Sequence, residues 1–109
     1  MPKTRAKRTP KATTTPFDVA EHLRTPDEMA AYLDAWLDEA PDDAAGIARA
    51  LGDIARARGM SQVAKDAGLS RESLYRALGS QGNPSFATVL KVAKALGVRF
   101  HAQATHHGV

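Results

Sequence analysis

Between Gly68 and Gly79 the chain reads GLSRESLYRALG, which gathers the side chains best suited to reading a nucleic acid. Arg71 and Arg76 bracket Glu72, Ser73 and Tyr75. A guanidinium can donate a bidentate pair to guanine O6 and N7 or grip a phosphate, and a carboxylate can accept from cytosine N4. A tyrosine can meet a thymine methyl or a phosphate. At about 100° per residue along a helix, Leu74, Ala77 and Leu78 point one way. Glu72, Tyr75 and Arg76 then point the other way, with Arg71 and Ser73 on the flanks. A tyrosine exposed between two arginines has no evident packing role; the plainer alternative is a solvated face on a helix used only for packing.

The surrounding residues explain how such a helix would be held. In SQVAKDAGLSRESLYRAL, Ala64 is small enough for a second helix to cross closely, and Gly68 suits the positive φ of a sharp turn. Leu69 and Leu74 stand at the two positions of a hydrophobic staple around a Ser70 cap. Small residue, glycine, apolar residue and cap make the sequence form of a helix-turn-helix. The loop GSQGNPS (79–85) adds Gln81, Asn83 and Ser85 as donors beside a helix N-terminus suited to phosphate. Gln62, at the start of the preceding helix, completes the set of expected DNA-contacting residues. Lys65, Lys91 and Lys94 either widen this positive surface or are ordinary solvated lysines.

Other elements follow from capping and period. Thr25, Pro26 and Glu28 form a helix start with a capping box. Met29, Tyr32, Leu33, Trp36 and Leu37 then repeat as one apolar stripe, which is either core or partly an interface with a second copy or another protein. Pro41-Asp42-Asp43 opens a second helix that buries Ala44, Ile47, Ala48, Leu51, Ile54 and Ala55 and stops at Gly59. Ser61, Ser70 and Ser85 are expected to cap three shorter helices. The last has Phe86, Val89, Leu90, Ala93 and Leu96 inward and closes at Gly97. VRFHAQ (98–103) alternates as a short strand does, and would pair with 17–20 or with its counterpart in a second subunit. The expected fold is all-α: a five-helix helix-turn-helix domain with a short terminal strand pairing. Residues 1–16 read as a disordered basic arm and 17–103 as one domain. That domain divides into acidic helices (17–58), a DNA-binding core (60–97) and the strand; 104–109 form a tail.

The net charge of +3 over 109 residues hides a sharp division. Residues 1–16 carry five positive charges and no acid, 17–53 balance at −8, and 54–109 at +6. Such asymmetry suits two surfaces with different partners, nucleic acid among them. There is no cysteine, which removes disulfides and thiolate chemistry. No apolar run approaches the length needed to span a bilayer, and the basic N-terminus lacks the apolar stretch of a signal peptide. A cytoplasmic protein is expected.

The segment GMSQVAKDAGLSRESLYRALGSQGNPSFATVLKVAKALGVRF resembles the DNA-binding core of the addiction-module antidote family, antitoxins of Cro/repressor (XRE) type from type II toxin–antitoxin pairs. FDVAEHLRTPDEMAAYLDAWLDEA is similar to that family's N-terminal portion, so the likeness covers roughly residues 17–103; the basic arm lies outside it. The resemblance implies a homodimer that neutralises a toxin of the RelE/ParE ribonuclease-fold group and binds its own palindromic operator. By position, Arg71, Glu72, Ser73, Tyr75 and Arg76 match its recognition helix. Toxins that attack RNA are usually basic, so Asp34, Asp38, Glu39, Asp42 and Asp43 are candidate toxin contacts or, as plainly, a solvated acidic face. The rival readings are a stand-alone repressor without a toxin and a protein-binding adaptor.

Enzymatic signatures are missing from the pattern: no nucleophile elbow and no phosphate-cradling glycine loop. Asp34 and Asp38 stand at i, i+4, where two carboxylates could share a metal, but exposed acids on an amphipathic helix are commoner. His101, His106 and His107 lie at or beyond the last element with no acid nearby, a poor basis for zinc; His22 is isolated. No enzyme activity, metal or cofactor is expected.

Overall fold

The computed structural model describes residues 23–105. Five helices follow one another: α1 (Pro26–Glu39), α2 (Ala44–Arg58), α3 (Met60–Ala67), α4 (Arg71–Ala77) and α5 (Phe86–Ala95). The protein is all-α over this span, with no strand among the described residues. No helix there is long and apolar enough to cross a membrane.

α1 begins as its sequence dictates. Thr25 Oγ1 accepts from the Glu28 N–H at 3.1 Å, and Glu28 Oε1 accepts from the N–H groups of Thr25 (3.0 Å) and Arg24 (2.8 Å). The Arg24 N–H foremost, with Thr25 adding, holds the Glu28 carboxyl below its usual range. Met29, Leu33 and Trp36 are buried and Tyr32 is half-buried, whereas Leu37, the last of the stripe, stays 38% exposed. α2 is capped by Asp43, whose Oδ1 accepts from the Gly46 N–H at 2.8 Å. Ala48, Leu51, Ile54 and Ala55 are buried as expected, Ile47 is half-buried and Ala44 is exposed. Ala50 and Gly52 are buried as well, because α2 packs against α1, α3 and α5 at once.

Gly59 ends α2 with φ +114° and its carbonyl accepts from the Val63 N–H, so α3 starts at Met60. This corrects the expected Ser61 cap. The glycine turns the chain two residues earlier and lets Met60 enter the core at 5% exposure, while Ser61 lies exposed inside the helix. α3 is the hub of the domain, touching α2, α4 and α5 through Met60, Val63, Ala64 and Ala67.

Ser85 caps α5, and Gly97 (φ +78°) closes it: the Gly97 N–H donates to Lys94 O and the Val98 N–H to Ala93 O. Val92, Ala93 and Leu96 face inward with Val89 half-buried, but Phe86 and Leu90, expected inward, are 72% and 45% exposed. The apolar stripe of α5 is wider than the contact α3 and α2 offer it. The strand expected over 98–103 does not form among the described residues, because a strand requires a ladder and these residues have no partner there. Its proposed mate at 17–20 lies outside the described residues, as do the arm 1–16, His22, His106 and His107.

The α1–α2 contact has two fitted points. The Tyr32 hydroxyl donates to Asp53 Oδ2 at 2.9 Å, while Asp53 Oδ1 meets Arg56 at 3.3 Å. A Cβ at Gly46 would lie 2.5 Å from Trp36 Cζ3. Gly46→Ala is therefore expected to lower stability by about 1–3 kcal/mol in urea denaturation, the usual range for overpacking. Burial first, and the Asp53 charge next, push Tyr32 up to about 12. Its contribution is whole below the ordinary tyrosine value of about 10 and is lost as pH rises toward that folded value. Urea midpoints should therefore fall across this alkaline window in the native chain, and less steeply in Tyr32→Phe.

Candidate nucleic-acid interface

α4 is held by the turn that precedes it. Gly68 adopts the left-handed conformation (φ +73°), its N–H donating to Lys65 O at 3.2 Å and the Leu69 N–H to Ala64 O at 2.9 Å. These bonds seal the end of α3 and reverse the chain. Leu69 then packs against the core and Leu74 is fully buried, the two halves of the expected staple. Ser70 Oγ accepts from the Ser73 N–H at 2.9 Å and donates to Ser73 Oγ at 2.8 Å. Ala64 beneath is 3% exposed, small enough for the close crossing the sequence suggested.

With Leu74 and Leu78 buried, the remaining face of α4 points outward by helical geometry. Arg71, Glu72, Tyr75 and Arg76 are all exposed, Tyr75 by 43%. The Arg71 guanidinium carbon lies 5.5 Å from the centroid of the Tyr75 ring, within cation–π range. Ring and cation thus lie together on the exposed side of α4. Ser73 is half-buried and engaged with Ser70, so its role here is in the cap.

The loop after α4 folds back tightly. The Gly82 N–H donates to Gly79 O at 2.9 Å. A Cβ on Gly79 would come within 2.9 Å of the Tyr75 carbonyl oxygen, and one on Gly82 would collide with the Ala77 carbonyl. Glycine is required at both positions for the loop to lie against the end of α4. Gln81 and Asn83 stand exposed on it. Ser85 is exposed but occupied: its hydroxyl accepts from the Thr88 N–H and donates to Thr88 Oγ1, both at 3.1 Å. Gln62 is exposed on α3 and donates to Asp66 Oδ1 at 2.9 Å. Lys65, Lys91 and Lys94 are exposed.

The acidic candidates sit on other elements. Asp34, Asp38 and Glu39 are exposed on α1 and Asp42 on the following turn, whereas Asp43 is half-buried and holds the α2 cap. Four large apolar side chains other than Tyr75 are exposed, none of them among the residues expected to contact DNA: Leu37, Phe86, Leu90 and Phe100. Phe86 and Leu90, one turn apart on α5, sit just beyond the loop that leaves α4.

Residues 13–104 match the family model described as "probable addiction module antidote protein". The chain belongs to this antidote family. The match spans all five helices, so the acidic α1 and the arginine-bearing α4 fall within one family unit. A protein of Haemophilus influenzae, described only as uncharacterized, is 59% identical over 87 residues, 80% of this chain and 88% of that protein. No solved structure gives a significant match. An addiction module antidote has a toxin as its partner.

Since Ser70 fixes the start of the antidote's α4, Ser70→Ala should cost about 1 kcal/mol of stability. Hydrogen exchange should show the Ser73 amide losing protection before that of Leu74.

Proposed function

We propose that this antidote is a sequence-specific DNA-binding protein of the Cro/repressor helix-turn-helix type that represses its own operon and neutralises a RelE/ParE-like toxin. The observation that carries the reading is the outward face of α4: Arg71 over Tyr75, with Glu72 and Arg76 beside them, opposite the buried Leu74 and Leu78. In this role α3 lies across the phosphate backbone and α4 enters the major groove. Arg76 and Arg71 read base edges or hold phosphates, and Glu72 favours cytosine. Gln62 and the loop donors Gln81 and Asn83 set the register on the backbone, with the N-terminus of α5 behind Ser85 adding its N–H groups. The positive balance of residues 54–109 supports the same assignment.

A homodimer follows from the operator geometry: two copies place two α4 helices in successive major grooves of a palindrome. Phe86 and Leu90 offer an apolar contact for the second copy close to the reading helix. The acids of α1 and its following turn, Asp34, Asp38, Glu39 and Asp42, face the toxin. The protein acts in the cytoplasm as a binding protein, without cofactor.

The test is fluorescence anisotropy with the gene's own upstream DNA against scrambled competitor at two salt concentrations. Specific binding should survive both competitor and moderate salt. Arg76→Ala is expected to weaken it by about 1–3 kcal/mol and relax one position of the site. Binding that follows salt alone and is unchanged by Arg71→Ala and Arg76→Ala would leave α4 as scaffolding, and the protein as an adaptor.

A further inference from the structure

A groove of about 700 Å³ runs between α1 and the segment that follows α5. One wall is the α1 face that carries Asp34, Leu37 and Asp38, neighbours at i, i+3 and i+4; the other is built from residues 98–105, including Arg99, Phe100 and His101. Leu37 and Phe100 line it and remain 38% and 37% exposed, an apolar floor left open to solvent.

Two further properties meet here. Among the described residues, no backbone group from Arg99 to Thr105 makes a backbone hydrogen bond. That run also keeps the alternation of a strand: Phe100, Ala102 and Ala104 against Arg99, His101, Gln103 and Thr105. An unpaired edge of this kind is a template for an added strand. The second property is charge. From Thr25 to Asp43 the chain has seven carboxylates and no lysine or arginine. Asp34 and Asp38 are exposed at the groove with no ion pair among the described residues. Arg99 on the opposite wall offsets this field only in part.

We propose that this groove is where the toxin docks, by a basic segment of the toxin that pairs with residues 99–105 and sets an apolar side chain between Leu37 and Phe100. Its cations meet Asp34 and Asp38. The assignment rests on the antitoxin half of the function proposed above, and it adds the site and the chemistry of the segment it accepts. It also separates the two activities by element, toxin at α1 and the chain after α5, operator at α4. One protein can therefore serve both partners without competition for a shared side chain.

The test uses the full chain with the purified product of the adjoining gene, by calorimetric titration, together with operator binding by the same samples. Phe100→Asp should weaken toxin binding at least about 30-fold, as loss of a central apolar anchor does. The paired reversal Asp34→Lys and Asp38→Lys, on exposed residues that leave the core untouched, should slow association about tenfold at low salt. At moderate salt, where the charge added to α1 is screened, both should leave sequence-specific operator binding intact, which also reports that they fold. Native toxin affinity in both variants would overturn the site while leaving the antitoxin reading intact. The site falls too if Phe100→Asp dissociates a homodimer yet still captures the toxin, since the groove then seats a second copy. No binding of the adjoining product by the native chain would remove the antitoxin reading and this site with it.

Discussion

The arrangement of this protein depends on how closely three helices approach one short one. α3 is eight residues long and is bounded by Gly59 and Gly68, both at positive φ. A helix of two turns has little intrinsic stability of its own. It persists because α2, α4 and α5 each bury a side of it, and they can do so because Ala64 and Ala67 keep that surface shallow. Fill either position with a larger side chain and the helices separate. Loosen either glycine and the chain no longer reverses where α4 must begin. The exposed face of α4 is therefore set by contacts made on its hidden side.

This dependence explains which features were legible beforehand. The Thr25 capping box, the Ser70 cap and the Gly97 stop depend on residues three or four apart, and the fold reproduces each. The outward face of α4 was legible for the same reason, since burying Leu74 and the capping Leu78 leaves this short helix only one outward direction. Propensity favours Ser61 as a cap, whereas the tertiary need to bury Met60 puts the helix start at that residue instead.

What escaped the sequence depends on distant partners. Phe86 and Leu90 share a stripe with Val89, Ala93 and Leu96, and periodicity alone does not say how much of a stripe the neighbouring helices will cover. α5 leans on α3 and α2 along its Val92–Leu96 side, and the other edge stays open. The groove beside α1 was equally hidden, because Leu37 and Phe100 are more than sixty residues apart in the chain. The alternation in VRFHAQ was readable, but a strand is a relation between two segments, and its expected mate at 17–20 lies outside the described residues.

The interior holds no buried charged or polar residue among those described, and the ion pair Asp53–Arg56 lies near the surface. Fold and surface therefore answer to different variables in solution. Added salt thins the fields around α1 and α4 within a Debye length of about 8 Å at physiological strength, while the apolar interior is almost indifferent to it. Raising temperature does the reverse. Ionic strength therefore bears more on the molecule's attraction for charged groups than on its folding equilibrium.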